Sequence, residues 1–237
     1  MIKFYIALSL LFACAICSAV EPSTQDDQVD QLEEAMIHYQ NTVRTLKDKV
    51  RKRGCEVNVC FAIDTSGSVT ASEFELQKDF VLDVTTIIGE DRRTKFAAAQ
   101  YGDKIRTISR LTGNIGAFNR RVEYAYHQYS PSTSVGMGIV WCDAMLRKQK
   151  HDVNKLVLMG DGRNNMGGSP VKRANIFRKR TDNACVSTVG VGYANTHVLK
   201  KIAGSQSRVF TVHDYFELSH LVDSLVQDIC GFSVTSF

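Results

Sequence analysis

Short apolar runs alternate along most of the chain with longer segments in which apolar residues recur every three or four positions. Residues 57–63 form the first apolar run and predict a buried strand, whereas residues 72–88 have the spacing of an amphipathic helix. The pattern predicts further strands at residues 94–101, 104–111, 155–159, 185–191 and 209–212. It predicts further helices at residues 118–126, 136–147, 170–180, 196–203 and 216–229.

The order of these segments predicts the architecture of the domain. Strands that alternate with helices favour right-handed crossover connections and a parallel sheet with helices on both faces. The second and third strands are separated by a tight turn at Gly102 and Asp103, which predicts a hairpin. We therefore expect an α/β fold over residues 55–231: a doubly wound, mostly parallel six-stranded sheet with one antiparallel edge strand.

Residues 1–19 have the layout of a secretory signal peptide. Lys3 precedes an apolar run, and the small residues Ser18 and Ala19 indicate a cleavage site after Ala19. A membrane anchor is the alternative, but the apolar run is short and no second run of that kind follows it. We therefore expect a secreted, extracellular protein without a membrane span.

Residues 20–54 have a different pattern, which predicts an N-terminal helix. Apolar residues recur there at alternating spacings of three and four over about three heptads, as is typical of a coiled-coil seam. The seam consists of Val29, Leu32, Met36, Tyr39, Val43, Leu46 and Val50. Two interpretations stay open: a homodimer formed through residues 29–50, or a single amphipathic helix that packs on its own domain. A short tail, residues 232–237, follows the domain.

The cysteines that follow the signal peptide are Cys55, Cys60, Cys142, Cys185 and Cys230. An extracellular compartment permits disulfides, and the odd number leaves at least one thiol free or paired with another chain. Cys60 lies within a predicted central strand, so we expect it to be a buried free thiol. Whether Cys142 and Cys185 pair with each other stays open. No CxxC pair occurs among these cysteines, which gives a zinc site little support.

The net charge of +4 is modest, and the basic residues gather in clusters at residues 92–95, 172–173 and 178–180. We interpret each cluster as a solvated helix or loop face. Nucleic acid is not expected as a partner of a secreted protein, whereas an acidic polysaccharide is a more sensible partner for such a face.

Candidate chemistry lies where two predicted strands end. The first strand leads into Asp64, Ser66 and Ser68, and the strand at residues 155–159 leads into Asp161. Ligands of doubly wound sheets bind beyond the carboxyl ends of the strands. Carboxylates and hydroxyls there make a hard oxygen cage that suits Mg²⁺, with Mn²⁺ or Ca²⁺ as alternatives. Since Mg²⁺ favours octahedral coordination, the incomplete cage predicts a site that binds a partner's carboxylate. Alternatively, Asp64 and the two serines only cap the helix that begins near Ser72.

These motifs resemble the von Willebrand factor A domain, a fold shared by integrin inserted domains and many matrix proteins. The resemblance covers about residues 55–231 and implies a metal site formed by Asp64, Ser66, Ser68, Thr133 and Asp161. The sequence departs from the family at Pro131-Ser132, where Gly-Gly often precedes the Thr. It also departs at Gly160, where Thr often precedes the Asp.

The same resemblance implies a function. It implies a non-enzymatic adhesion module that captures an extracellular protein, such as collagen or another matrix protein, through an acidic side chain bound to the metal. Cysteines at the two ends of the domain pair in matrix members of the family, which implies a Cys55–Cys230 disulfide.

Parts of the sequence are compatible with two other functions. One is a structural assembly module that leaves the metal site unoccupied and assembles through the helix at residues 29–50. The other is a Mg²⁺-dependent phosphatase of the haloacid dehalogenase type, with Asp64 as nucleophile and Asp161 holding the metal. The phosphatase is disfavoured because Ser66 stands where that chemistry requires an acid.

Overall fold

The computed structural model describes residues 22–149, 153–180 and 183–232. The expected signal peptide and residues 233–237 of the expected tail lie outside the described residues. The chain divides into two compact units, Met1–Thr45 and Leu46–Phe237. The described part of the first unit belongs to one helix, α1 (Pro22–Arg53), and the last turns of that helix belong to the second unit.

The second unit consists of alternating strands and helices. The strands are β1 (Val57–Asp64), β2 (Lys95–Tyr101), β3 (Ile105–Thr112), β4 (Val153–Met159), β5 (Ala184–Val191) and β6 (Val209–Val212). The helices are α2 (Ala71–Ile88), α3 (Ile115–Glu123), α4 (Val135–Leu146), α5 (Pro170–Arg178), α6 (Thr196–Ala203) and α7 (Val222–Cys230). None of the helices in the described part of the chain has the length and apolarity needed to cross a bilayer.

The strands form one sheet in the order β3-β2-β1-β4-β5-β6. Neighbouring strands pair in parallel except β2 and β3, which form the predicted antiparallel hairpin. The predicted fold class is therefore confirmed. The chain adds strands on one side of β1 and then on the other, so the topological switch point lies between β1 and β4. These strands end at Asp64 and Met159, and ligands of such sheets bind beyond that edge.

Helices cover both faces of the sheet. Helices α2, α3 and α7 pack together on one face, and α4, α5 and α6 form a layer on the other. Strand β1 is buried along its whole length, as expected for a central parallel strand. Gly138 of α4 lets that helix approach the sheet closely, because a Cβ at this position would lie 3.0 Å from the ring of Tyr101 and 3.3 Å from Ala62.

The closing segment differs from the single helix predicted at residues 216–229. It begins with a 3-10 helix, Tyr215–Leu221, and continues as α7. The Asp214 side chain accepts hydrogen bonds from the backbone N–H of Phe216 at 2.8 Å and of Glu217 at 3.1 Å, which supports the tighter first turns. Apolar spacing does not separate these two helix types.

The heptad seam of α1 changes in exposure along the helix. Val29 and Met36 are 50% and 37% exposed, whereas Leu46 and Val50 are buried in the second unit. The end of α1 therefore packs on the domain, as one of the two interpretations required. The coiled coil through residues 29–50 stays a prediction.

Two disulfides link distant parts of the second unit. Cys55, which precedes β1, is bonded to Cys230 at the end of α7. Cys60 of β1 is bonded to Cys142 of α4, so the expectation that Cys60 is a free thiol is wrong. The reason is that Cys60 faces the α4 layer, where Cys142 lies within reach at a Cα–Cα distance of 5.6 Å. Among the described cysteines, Cys185 is free and partly exposed.

Candidate metal centre

The first loop of the candidate site begins with a carboxylate at the end of the central strand. Asp64 is the last residue of β1 and is only 2% exposed. Its Oδ1 accepts a hydrogen bond from the backbone N–H of Ser66 at 2.8 Å, and its backbone oxygen accepts one from Gln77 of α2 at 3.1 Å. The hydroxyls of Ser66 and Ser68 lie 3.2 Å apart. This turn keeps one carboxylate and two hydroxyls within one short loop.

Helix α2, which follows this loop, is capped by other residues. The Thr70 hydroxyl accepts a hydrogen bond from the backbone N–H of Glu73 at 3.2 Å, and the Glu73 carboxylate accepts one from the backbone N–H of Thr70 at 2.7 Å. This is a complete capping box. The alternative in which Asp64 and the two serines only cap this helix is therefore wrong.

The second loop lies directly against the first. The backbone N–H of Ser130 donates to the backbone oxygen of Thr65 at 3.1 Å, and Ser66 and Ser130 form an isolated parallel bridge. Thr133, the expected ligand from this loop, is 8% exposed and lies two residues before the start of α4. Backbone pairing thus holds the loop that carries Thr133 beside the loop that carries Asp64.

Two asparagines of the third loop hold the second loop in place. The backbone N–H of Thr133 donates to Asn165 Oδ1 at 2.7 Å, and the backbone N–H of Val135 donates to Asn164 Oδ1 at 2.9 Å. Ser134, the N-cap residue of α4, makes no side-chain cap of its own, so Asn164 takes that role from another loop. Sequence analysis missed both roles, because a cap supplied from a distant loop leaves no local pattern.

The third loop brings Asp161 next to the first. Gly160 has a φ of 147°, a backbone conformation that favours glycine. A Cβ on Gly160 would lie 2.7 Å from Asp64 Oδ2 and would also collide with the Tyr101 hydroxyl, which donates to the backbone oxygen of Met159 at 2.7 Å. The departure from the family pattern at Gly160 therefore has a physical reason. Because Gly160 comes this close to the Asp64 carboxylate, the next residue in the chain, Asp161, also lies near that carboxylate.

Asp161 itself is half-buried and has an arginine beside it. Its Oδ1 accepts a hydrogen bond from the backbone N–H of Arg163 at 2.8 Å, and its Oδ2 lies 3.5 Å from Arg163 Nε. The Arg163 side chain is 70% exposed, so this ion pair is well screened by solvent. The backbone oxygen of Asp161 accepts a hydrogen bond from Asn195 at 2.8 Å, which fixes the loop from the other side.

The site places the negative charges of Asp64 and Asp161 close together. The pKa of Asp64 is raised to about 6, chiefly by burial and further by the negative charge of Asp161, although hydrogen bonds from Ser66 oppose the shift. The pKa of Tyr101 is raised well above its ordinary value by burial and by the same two carboxylates. In the described part of the chain, no Lys or Arg forms an ion pair with Asp64. A cation beside Asp64 would relieve this unfavourable environment.

The available ligand atoms fit a hard cation. The candidate residues offer only carboxylate and hydroxyl oxygens, the ligands that Mg²⁺, Mn²⁺ and Ca²⁺ prefer. Among the described residues, no group of three or more His, Cys, Asp and Glu side chains is placed to hold a metal. Because Mg²⁺ prefers octahedral coordination, the two carboxylates and three hydroxyls would need a further oxygen, from water or from a partner, to complete it.

Large exposed apolar side chains lie on these loops or next in sequence to residues that interact with them. Tyr129, Tyr193, Phe216 and Met166 are 66%, 97%, 58% and 40% exposed, and we call them the apolar rim. The Tyr129 hydroxyl lies 3.2 Å from where a Cβ on Gly67 would be, and the backbone N–H of Met166 donates to Thr133 at 3.2 Å. Tyr193 lies two residues before Asn195, which is bonded to Asp161, and Phe216 follows Tyr215. The pKa of Tyr215 is raised by burial and by the charge of Asp64.

Comparison with known proteins identifies relatives that carry a similar domain. The chain is 28% identical to the collagen alpha-6(VI) chain of Homo sapiens over 191 residues, which is 76% of this chain and 8% of that relative. It is 26% identical to von Willebrand factor A domain-containing protein 2 of Xenopus laevis over 194 residues, 75% of this chain and 23% of that relative. The chain thus spans a small part of these relatives.

Solved structures share the fold. Proximal thread matrix protein 1 from the mussel byssus superposes with a TM-score of 0.67 at 23% identity, covering 73% of this chain and 46% of that one. A second structure of the mussel protein, with a TM-score of 0.67 at 22% identity over 74% of this chain and 46% of that one, is described as having a zinc-occupied MIDAS motif. The sequence model of the von Willebrand factor type A domain matches residues 58–224 of this chain. The chain belongs to the von Willebrand factor type A domain family.

Proposed function

We propose that this protein is a secreted, extracellular adhesion module that captures a partner protein through a divalent cation. The proposed ligands are Asp64, Ser66, Ser68, Thr133 and Asp161, and the proposed cation is Mg²⁺, with Mn²⁺ or Ca²⁺ as alternatives. The similarity to collagen VI chains supports a role in the extracellular matrix. The function proposed is binding without catalysis.

The observation that carries the proposal is the environment of Asp64. Its carboxylate is 2% exposed, lies beside the negative charge of Asp161, and has no ion pair among the described residues. A buried carboxylate is costly unless a cation or several hydrogen bonds compensate it. The capping box of Thr70 and Glu73 leaves the hydroxyls of Ser66 and Ser68 free of any role in starting α2. Coordination of a cation would compensate the buried carboxylate and would also use these two hydroxyls as ligands.

The kind of partner follows from the chemistry of the site and from its surroundings. The cation supplies Lewis acidity, and it retains a position for an external oxygen when the protein ligands are few. A carboxylate of a partner is the anionic oxygen ligand that a protein most readily offers. The apolar rim supports a protein partner, since tyrosine, phenylalanine and methionine are enriched in protein interfaces. Collagen and other matrix proteins are the candidates.

Substitution of Asp161 tests the metal site. In residues 20–237, Asp161→Asn keeps the oxygen that Arg163 N–H contacts but removes the charge, so Mg²⁺ and Mn²⁺ affinity should fall at least about tenfold. Titration calorimetry measures the affinity, and circular dichroism checks that the fold is retained. Glu123→Gln, which removes an exposed carboxylate of α3, is the matched control and should leave the affinity unchanged. Unchanged affinity in the Asp161 variant would contradict the proposed ligand set.

The adhesion step has a separate readout. Binding of the chain to immobilised matrix proteins, collagen among them, should require Mg²⁺ or Mn²⁺ and should be abolished by EDTA. Binding that survives EDTA would exclude capture through the metal.

A second candidate function is a structural assembly module whose metal site is unoccupied. The ion pair between Arg163 and Asp161 favours it, because a guanidinium beside the carboxylate can replace part of the charge of a metal ion. No binding heat with Mg²⁺, Mn²⁺ or Ca²⁺ in the wild type, together with measurable binding heat in Arg163→Ala, would support this second candidate.

A further inference from the structure

One layer of helices carries a large excess of positive charge over negative charge. Residues 135–148, 170–180 and 196–203 cover α4, α5 and α6 with the residues that end them, and they contain nine Lys and Arg side chains but a single carboxylate, Asp143. The whole chain has a net charge of only +4, so the remainder of the chain is more acidic than basic. We call this surface the basic face. Its members are Arg147, Lys148, Lys172, Arg173, Arg178, Lys179, Arg180, Lys200 and Lys201.

The basic side chains are available to a ligand. Eight of the nine are exposed, and Arg178 is the exception because it is half-buried against the end of α6. Within the described residues, Arg180 is the only one of the nine that forms an ion pair. The seven other exposed side chains therefore present positive charge to solvent without an ion-pair partner among the described residues.

The single carboxylate does little to neutralise this face. Asp143 lies at the base of the layer, with its side chain 13% exposed, and its Oδ2 is 3.0 Å from Arg180 Nη2. Its Oδ1 is buried and has no hydrogen-bond partner in the described part of the chain. Burial raises the pKa of Asp143, and the charges of Arg180 and Arg147 oppose that shift. Asp143 of α4 thus pairs with Arg180, which follows α5, and it forms no ion pair with Arg147 or Arg173.

A shallow groove of about 140 Å³ runs between α4 and α5 at this point. Three arginines stand along it, and its floor is apolar. The residues that line it are Ile139, Val140, Asp143, Ala144, Arg147, Arg173, Ile176 and Arg180. Val140 and Ile176 are 44% and 46% exposed, so the groove offers aliphatic surface between its guanidinium groups.

We propose that the basic face binds a sulfated polysaccharide, with the groove between α4 and α5 as its centre. Guanidinium groups match the oxygens of sulfate as paired donors, and they bind anions more specifically than ammonium groups do. The aliphatic floor fits the apolar face of a sugar ring placed between two sulfates. The positive charge spreads over three helices, which suits a repeating polyanion better than a folded partner that buries one hydrophobic anchor.

This binding differs from metal-dependent adhesion in two measurable ways. It needs no divalent cation, so EDTA should leave it unchanged. It is electrostatic and solvent-exposed, so it should weaken steeply as NaCl rises beyond physiological ionic strength. The two activities can therefore fail separately.

The test uses residues 20–237 and heparin as the probe. The triple variant Arg147→Ala, Lys172→Ala, Arg173→Ala removes three exposed charges. It keeps Arg180, which forms the ion pair with the buried Asp143. Heparin affinity, measured by surface plasmon resonance in EDTA, should fall about tenfold or more. The matched control is Arg106→Ala, Arg110→Ala, Arg120→Ala, which removes the same charge from exposed positions of β3 and α3. Its affinity should stay within about twofold of the wild type.

Three outcomes would overturn the proposal. Equal losses in the two triple variants would show that only the net charge matters. Equal binding of chemically desulfated heparin, or of poly-glutamate, would show that the face does not select sulfate. Loss of heparin binding in EDTA would assign the polysaccharide to the metal centre. Thermal melts of both variants must match the wild type, since all six side chains are exposed.

Discussion

Asp64 is a proposed metal ligand, and burial of its carboxylate lowers the stability of the fold. Its carboxylate lies at the end of a fully buried strand, and burial raises its pKa to about 6 from an ordinary value of 3.8. A raised pKa means that the ionised carboxylate destabilises the folded state relative to the unfolded chain. This cost is fully present above the folded pKa and disappears as the pH falls below the unfolded one. Perturbed carboxylates of this kind cluster at functional sites, and coordination of the proposed cation would be the function of this one.

We predict that Asp64→Asn stabilises the metal-free domain. Asparagine keeps the oxygen that accepts from Ser66 but carries no charge, so the free energy of unfolding in EDTA at pH 7 should rise by about 1–3 kcal/mol. Well below the unfolded pKa of 3.8, at about pH 2.5, Asp64 is protonated in both states, so the variant and the wild type should converge. Urea unfolding at both pH values measures this. A variant that is less stable at pH 7 would contradict the buried-charge argument.

Some residues of the candidate site could be predicted from sequence, and others could not. Asp64, Ser66 and Ser68 follow a strand in a short local pattern, so their proximity is visible in the chain itself. Asn164 and Tyr101 are different, because each acts on a loop that is distant in sequence. No periodicity or spacing marks such contacts, which exist only once β1, β2 and β4 are adjacent.

At the scale of elements, the Cys60–Cys142 disulfide joins the two parts that carry the first and second loops. Cys60 lies in β1, which ends at Asp64, and Cys142 lies in α4, which begins two residues after Thr133. The bond therefore restrains the position of α4 along β1. Asn164 and Asn165 restrain the start of α4 from the third loop. The three loops are held together by covalent and hydrogen-bonded links outside the ligand residues.

We predict that removal of this disulfide weakens both the fold and the metal site. Cys60→Ala with Cys142→Ala opens a loop with a sequence separation of 82 residues, and both sulfurs are fully buried. Loss of such a crosslink should lower the free energy of unfolding by about 2–5 kcal/mol, and Mg²⁺ affinity should fall as the loops loosen. Urea unfolding and calorimetry measure the two effects. Cys185→Ala, which removes the free thiol, is the control and should change neither by much.

Periodicity predicted the elements well where it reflects burial. The apolar runs of β1, β4 and β5 and the helical spacing of α2 are direct consequences of packing against two layers. The pairing of Cys60 was predicted wrongly, because the position of Cys142 opposite it depends on how α4 packs across the sheet. Asp214 is a similar case, since the side-chain hydrogen bonds that start a 3-10 helix do not alter apolar spacing.

At the scale of the whole molecule, the two proposed activities use different physics. As proposed, the metal centre binds one carboxylate of a partner, with an affinity that depends on the cation. The basic face binds a repeating anion over three helices, with strength that depends on ionic strength. A matrix module that has both can hold a protein and a polysaccharide at once, and EDTA and NaCl should release them one at a time. Asp161→Asn and the triple variant of Arg147, Lys172 and Arg173 separate the two contributions in a single chain.

The exposed seam of the N-terminal helix predicts the oligomeric state of the protein. Met36 belongs to the heptad seam and is 37% exposed, whereas its neighbour Ile37 lies outside the seam and is 57% exposed. If α1 pairs with a second copy through this seam, Met36→Lys places like charges at the interface and the dimer should dissociate. Ile37→Lys adds the same charge outside the interface and should leave the dimer intact. Light scattering at equal concentrations measures the mass of both variants and of residues 46–237, which keep the buried Leu46 and Val50 but lack most of the seam. A monomeric wild type, or equal dissociation of both lysine variants, would contradict pairing through the seam.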